Sequence, residues 1–250
     1  MKKNGFTLVE LMIYVAVSAV IMAAAYAAVV MAQRSSSSVG RKIITQQDVR
    51  LVLDMMAMDI RNASYNPTHK GGIWRDQNNL PLPMVIGING DLIDGNKLYG
   101  IQFANANNIL VEMDLGGLPG VPSLPDGIIG GPTGPNEAIY YKYNIPLNSI
   151  TRASNFGPDN ALFGGAGTGT LVTNNAAGVP LFQYFDNINP NNPLDPATLS
   201  VYTINNTIRR IRITIVADTE AKDSLTNIPK RMIYTTDVLV KNHPLAQLIN

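Results

Sequence analysis

The chain has 250 residues, 46% of them hydrophobic and 15% charged, with 19 basic against 18 acidic side chains. That balance excludes a largely disordered chain, and a net charge of +1 leaves little to neutralise phosphates, so no nucleic-acid partner is expected. The absence of cysteine excludes a disulfide framework, thiolate metal sites and a cysteine nucleophile.

Proline and glycine divide the chain near residue 64. All sixteen prolines lie at Pro67 or later, and only Gly5 and Gly40 of the twenty-one glycines precede residue 64. A long helix excludes both residue types from its interior, so residues 6–63 read as one helix and 64–250 as a loop-rich domain. Between Phe6 and Ala32 only Thr7, Glu10 and Ser18 are polar. Twenty-seven helical residues reach roughly 40 Å, enough for a bilayer core of about 30 Å, and this apolar run is too long for a secretory signal peptide. Residues 6–32 are therefore expected to span a membrane. Positive charge on both flanks, Lys2 and Lys3 against Arg34, Arg41 and Lys42, leaves orientation open on charge alone.

From residue 33 to 63 the pattern becomes amphipathic. Val49, Leu53, Met56, Ile60 and Ala63 recur at spacings of four and three, with Ile44, Leu51 and Met55 widening the stripe. Arg50, Asp54, Asp59 and Arg61 fall on the remaining face, which predicts a helix docked on something apolar. Between the two parts, Ser35 to Ser38, Val39 and Gly40 weaken helix propensity by roughly 2–3 kcal/mol relative to alanine. Such a stretch reads as a membrane exit or as a hinge.

Beyond residue 64 the strong runs are strand-like. Residues 98–103 and 108–113 read as a hairpin across an Asn-rich turn. Runs at 137–143 and 181–185 follow. From Ile208 to Ile215, isoleucine alternates with Arg210, Arg212 and Thr214, and the last run is 231–241. With no comparable helix after residue 64, the fold class is α+β: a long N-terminal helix, half transmembrane and half amphipathic, packed on an antiparallel β-sheet. Residues 64–97 and 114–136 read as long loops.

The first ten residues carry the most specific pattern. Lys2 and Lys3, then Gly5-Phe6-Thr7-Leu8-Val9-Glu10, then an unbroken apolar helix, resemble the class III signal of type IV pilins and type II secretion pseudopilins. Glu10 is costly in a membrane helix, by roughly 2.5–3.5 kcal/mol near the bilayer centre, so it needs compensation. On spacing alone, it can pair with the Phe6 amine four residues before it, or sit at the interface against the helix dipole. The resemblance implies a third role. Prepilin peptidase would cut between Gly5 and Phe6 on the cytoplasmic side, removing leader 1–5, and the Phe6 amine would be N-methylated. Glu10 would then pair with the terminal amine of a neighbouring subunit entering the filament. The N-terminus would be cytoplasmic and the domain, 64–250, periplasmic or external. Many major pilins have a proline about twenty residues into this helix; here the chain reads Ala23-Ala24-Ala25-Tyr26-Ala27-Ala28, which argues against a major pilin.

Weaker patterns extend the likeness. Residues 50–63, Tyr140 to Tyr143 leading to Arg152, Phe182 to Asp186, the run through Ile215 and Thr236 to Asn242 resemble minor pilins of the PilW type, with GspJ-type pseudopilins close behind. The resemblance implies a minor pilin that primes or caps a type IV pilus together with other minor pilins and the major pilin. The alternative is a minor pseudopilin at the tip of a secretion pseudopilus, and a different class of reading is a surface-binding or adhesive tip module built on the long loops. Enzymatic function is not expected, and neither a cofactor nor a metal. The glycine-rich segment Gly164 to Thr170 lacks the lysine of a phosphate-binding loop and reads as a flexible surface loop. Asp186, Asn187, Asn189, Asn191 and Asp195 lack the spacing of a calcium loop and read as turn residues. Asp91, Asp94 and Asp126 stand beside glycines as turns require, and His69 and His243 lie in polar loop-like sequence.

Overall fold

The computed structural model describes residues 7–65, 85–86, 92–93, 100–116, 136–155, 157–198, 207–220, 222 and 228–242. One helix, α1 (Leu8–Arg61), precedes a set of antiparallel strands, so the chain is α+β. The helix runs unbroken through Ser35 to Gly40, where the Ser37 hydroxyl donates to the Arg34 carbonyl at 2.9 Å. It ends at Asn62, whose N–H reaches back to the carbonyls of Met58, Asp59 and Ile60.

Strands β1 (Val85–Ile86) and β2 (Leu92–Ile93) pair antiparallel, so the segment 64–97, expected as a loop throughout, contains a short ladder. β3 (Ile101–Ala104) and β4 (Asn108–Glu112) form the expected hairpin. β5 (Ala138–Asn144), β6 (Ser149–Ser154) and β7 (Asn160–Gly164) extend it into a five-stranded sheet in the order β3-β4-β5-β6-β7. β8 (Thr170–Val172) and β9 (Phe182–Phe185) both pair with β10 (Arg210–Thr219), and β11 (Arg231–Leu239) lines its other side over nine residue pairs. Among the described residues the single expected sheet is thus replaced by two larger sheets and the short β1–β2 ladder. β6, β7 and β8 were not foreseen, because short runs such as Asn160-Ala161-Leu162-Phe163-Gly164 show too few alternating apolar residues to stand out.

The two sheets are joined through β7 and β8. Gly165 bridges to Thr170, and the Val172 N–H donates to the Asn148 carbonyl at 2.8 Å. Gly164 sits at φ +76°, where an added Cβ would lie 2.7 Å from Val172 Cγ2 and 2.9 Å from the Asn148 oxygen. Only glycine allows this close crossing between sheets. The turn from Gly165 to Gly169 is not left as a free loop: the Glu220 carboxylate accepts from the N–H groups of Gly167 and Gly169 at 3.0–3.1 Å.

Helix and sheets share one core. Val49, Val52, Leu53, Met56, Ile60 and Ala63 meet Ile139, Tyr141 and Ile150 of the five-stranded sheet, and Ile211, Ile213, Ile215 and Val238 of the other. The alternation in β10 is as expected, with its isoleucines buried. The helix stripe differs from expectation at its edges. Ile44 and Leu51 face outward and Met55 is half-buried, whereas Val52, Ala57 and Asp59 are buried. The domain covers the face centred on Met56 and Ala63, and Asp59 lies on that face because it stands three residues after Met56 and four before Ala63.

Candidate functional site: the N-terminal helix and its first turn

The first described residue, Thr7, is the N-cap of α1, and a capping box closes the helix start. Glu10 N–H donates to the Thr7 hydroxyl oxygen at 3.2 Å. In return Glu10 Oε2 accepts from the Thr7 backbone N–H at 3.3 Å and from its hydroxyl at 3.2 Å. The spacing Thr-x-x-Glu before an apolar run is what this motif requires, and it satisfies amides that a membrane interior would leave unpaired. Glu10 therefore has a local anchor in addition to the partners considered from sequence. Its carboxylate is folded toward the helix start, onto Thr7. Thr7 was read only as a polar residue in an apolar stretch; the capping spacing is the signal that reveals its part. Gly5 and Phe6 lie outside the described residues.

Past this turn the helix offers apolar side chains in every direction. Leu8, Val9, Leu11, Met12, Ile13, Val15, Val20 and Met22 are all exposed, and so are Tyr26, Val29 and Met31. Ser18 returns its hydroxyl to the Tyr14 carbonyl at 2.5 Å, which hides its donor from the surroundings. By length and composition α1 contains a stretch able to cross a membrane, and none of that stretch is buried within the chain. A helix that is apolar all round and uncovered by its own domain must be covered by lipid or by other protein.

Along the described helix the first buried residue is Thr45, whose hydroxyl lies 3.1 Å from that of Thr170. Further along, Asp59 fixes the helix to the five-stranded sheet. The Tyr141 hydroxyl donates to Asp59 Oδ2 at 2.5 Å, while Arg152 Nη2 and Nε donate to the same oxygen at 3.2 and 3.3 Å. Burial, with the Asp59 charge beside it, pushes the Tyr141 hydroxyl well above its ordinary range, so it stays a proton donor. These three side chains are bonded to one another between helix and sheet, which makes them a structural joint.

The other residues weighed from sequence fall into turns where they are described. Asp186 Oδ1 accepts from the N–H groups of Ile188 and Asn189, and Asp195 Oδ1 from that of Ala197, as Asx turns do. Glycines 164–169 form the pinned crossing between sheets described above, in place of the expected flexible loop. His69, His243, Asp91, Asp94 and Asp126 lie outside the described residues, as does most of 114–136. Among the described residues no group of three or more His, Asp or Glu side chains is placed to hold a metal ion.

Residues 1–26 match a family model described as the prokaryotic N-terminal methylation motif. No curated protein and no solved structure matches the chain. The motif supports a type IV pilin-like protein, structural in role, with processing by prepilin peptidase and assembly into filaments of the pilus type as what it implies.

Proposed function

We propose that this chain is a minor subunit of a type IV pilus-like filament in the cell envelope. In this reading peptidase removes residues 1–5, Phe6 becomes the methylated N-terminus, and helix 6–32 passes from the inner membrane into the filament core. The observation that carries the reading is the pairing of the methylation motif with a helix whose apolar surface is exposed from Leu8 to Met31. Lys2 and Lys3 hold the leader on the cytoplasmic side, and the domain lies across the membrane.

Glu10 supplies the assembly contact. Cleavage before Phe6 creates an amine one turn below a carboxylate that the capping box holds toward the helix start. In the membrane the Thr7 groups compensate part of its cost; in the filament a neighbouring subunit's Phe6 amine completes the compensation. The finer assignment to PilW-type minor pilins, acting in a priming or tip complex, rests on the strand patterns and on the missing helix proline. A GspJ-type pseudopilin would use the same helix and the same carboxylate, and the neighbouring genes distinguish the two.

The test is the variant Glu10→Ala, expressed in the native host and scored in sheared fibres. It is expected to insert and fold normally yet be absent from fibres. Incorporation at the wild-type level would overturn the Glu10 mechanism, and mass spectrometry showing residues 1–5 still attached would overturn the filament reading itself.

A further inference from the structure

The face of α1 that carries the domain continues below it, toward the apolar span, with its chemistry changed. Val49 and Val52 are buried on this face, and Thr45 is its first buried residue. Arg41 stands four residues before Thr45, Lys42 seven before Val49 and Arg34 seven before Arg41, so all three lie on the same side of the helix. All three are exposed, and between Glu10 and Asp48 they are the only charged residues. Among the described residues no carboxylate pairs with any of them. Asp48 stands about 10 Å beyond Arg41 along the helix, too far to neutralise it. At the lower end of the domain the Glu220 carboxylate is held by the N–H groups of Gly167 and Gly169, close to the contact between Thr170 and Thr45. A purely basic step is left between the domain above and the apolar span below.

Geometry brings this step to the lipid. The uncharged run from Leu11 to Gln33 has 23 residues. As a helix it is about 35 Å long, against a hydrocarbon core of about 30 Å, and a tilt of about 30° takes up the excess. Arg34 then lies at the headgroups whichever way the helix leans. Arg41 and Lys42 lie about 10 Å further along the axis. They reach the headgroup layer only when the helix leans toward the side that carries them, with their long side chains hanging beneath it. Ile43, exposed on the opposite side, is too short to reach the hydrocarbon by the reverse lean. We propose that this step, the face of α1 from Arg34 to Lys42 beneath the domain, seats the phosphate headgroups of anionic phospholipid. Each basic side chain is drawn to an anionic surface, and a phosphate accepts the fork of an arginine in two hydrogen bonds. The lipid therefore fixes which way the subunit leans, and it lays the lower end of the domain toward the bilayer. This seat rests on the reading of residues 6–32 as a membrane span.

The test uses the full chain in vesicles of phosphatidylcholine with about one-third phosphatidylglycerol, and a trace of either lipid carrying a spin label. Electron spin resonance of the motionally restricted fraction gives the relative association of the two lipids with the protein. The anionic lipid is expected to be favoured on the order of tenfold, and the preference should fade at about 1 M salt. The double variant Arg41→Gln/Lys42→Gln changes two exposed positions and should fold. It is expected to lower the preference about fivefold, with Arg34 and the leader lysines Lys2 and Lys3 holding the remainder. An unchanged preference in that variant would overturn the seat, because the attraction would then belong to those three residues alone. Equal association of both lipids with the unaltered chain would overturn the lipid as occupant and leave an acidic protein face in its place. Alkaline washing separates the seat from the reading beneath it. A chain washed off the vesicles refutes the membrane span, whereas one retained without lipid preference refutes the seat alone.

Discussion

Asn174 shows how one side chain can complete a sheet. β10 pairs with β9 over Arg210–Ile213 and with β8 over Ala217–Thr219, which leaves a gap between them. The Asn174 amide fills it: Nδ2 donates to the Thr214 carbonyl at 2.7 Å, and Oδ1 accepts from the Val216 N–H at 2.8 Å. Asn174→Leu would leave both backbone groups buried without these partners, and should cost about 2–4 kcal/mol in chemical denaturation. Asn174→Asp restores only the acceptor and is expected to fall between. Glu112 makes the opposite kind of case. It is fully buried, with Gln102 Nε2 2.7 Å from its Oε2, and burial raises its carboxyl to about 8. Its folded-state value exceeds the unfolded one, so between about pH 4.5 and 8 the folded chain binds the extra proton. Stability should therefore decline as pH rises through that window, by on the order of 4 kcal/mol from this group. Glu112→Gln should flatten that slope in unfolding curves taken from pH 5 to pH 8.5. An unchanged slope would show that the side chain is ionised and solvated in the folded state.

The elements differ in what holds them. From Gln33 to Ile44 the helix runs beyond the reach of the domain and outside the apolar span, with Ser35 to Ser38 and Gly40 among the weakest helix formers in α1. Its backbone hydrogen bonds are exposed, whereas those at 49–61 lie against the core. Amide exchange in a detergent-solubilised sample should therefore be faster at 35–40 than at 49–61, by about a hundredfold or more. Replacing the four serines with alanine should narrow that gap by roughly tenfold, as the propensity difference predicts. The sheet crossing at Gly164 is held in the opposite way, by contact so close that no side chain fits. Gly164→Ala should lower stability by about 2–4 kcal/mol through left-handed strain and the clash with Val172. Its signature would be loss of the ladder at Thr170–Val172 before the rest of β10 is affected.

The molecule as assembled has two parts with separate requirements. The domain rests on contacts that begin at Thr45, and every residue of the shared core lies at Val49 or later. A chain starting at residue 33 should therefore fold without detergent, with an unfolding midpoint within a few degrees of that of the full chain. Its solubility would confirm that the apolar segment serves insertion and assembly and adds nothing to the core. Aggregation or loss of cooperative unfolding would mean that the segment before residue 33 contributes to folding.

The N-terminal half was legible in the residues because its physics is local. A helix of 3.6-residue period excludes proline and glycine, and a bilayer demands an uninterrupted apolar run; the capping box is as local, with Thr7 and Glu10 three positions apart, but it went unread. The alternation in β10 was legible for the same reason. What depended on folding was which apolar residues find a partner. Leu51 and Val52 are adjacent and equally hydrophobic, yet one faces solvent and the other the core. Asp59 looked like a surface charge until Tyr141 and Arg152, some ninety positions away, supplied its hydrogen bonds. The division of the strands between separate sheets escaped notice because β8, which adjoins the crossing at Gly164, is three residues long, and the gap between β8 and β9 on β10 is completed by the side chain of Asn174. Such pairings join residues far apart in the chain, and they exist only once the backbone has brought the partners together.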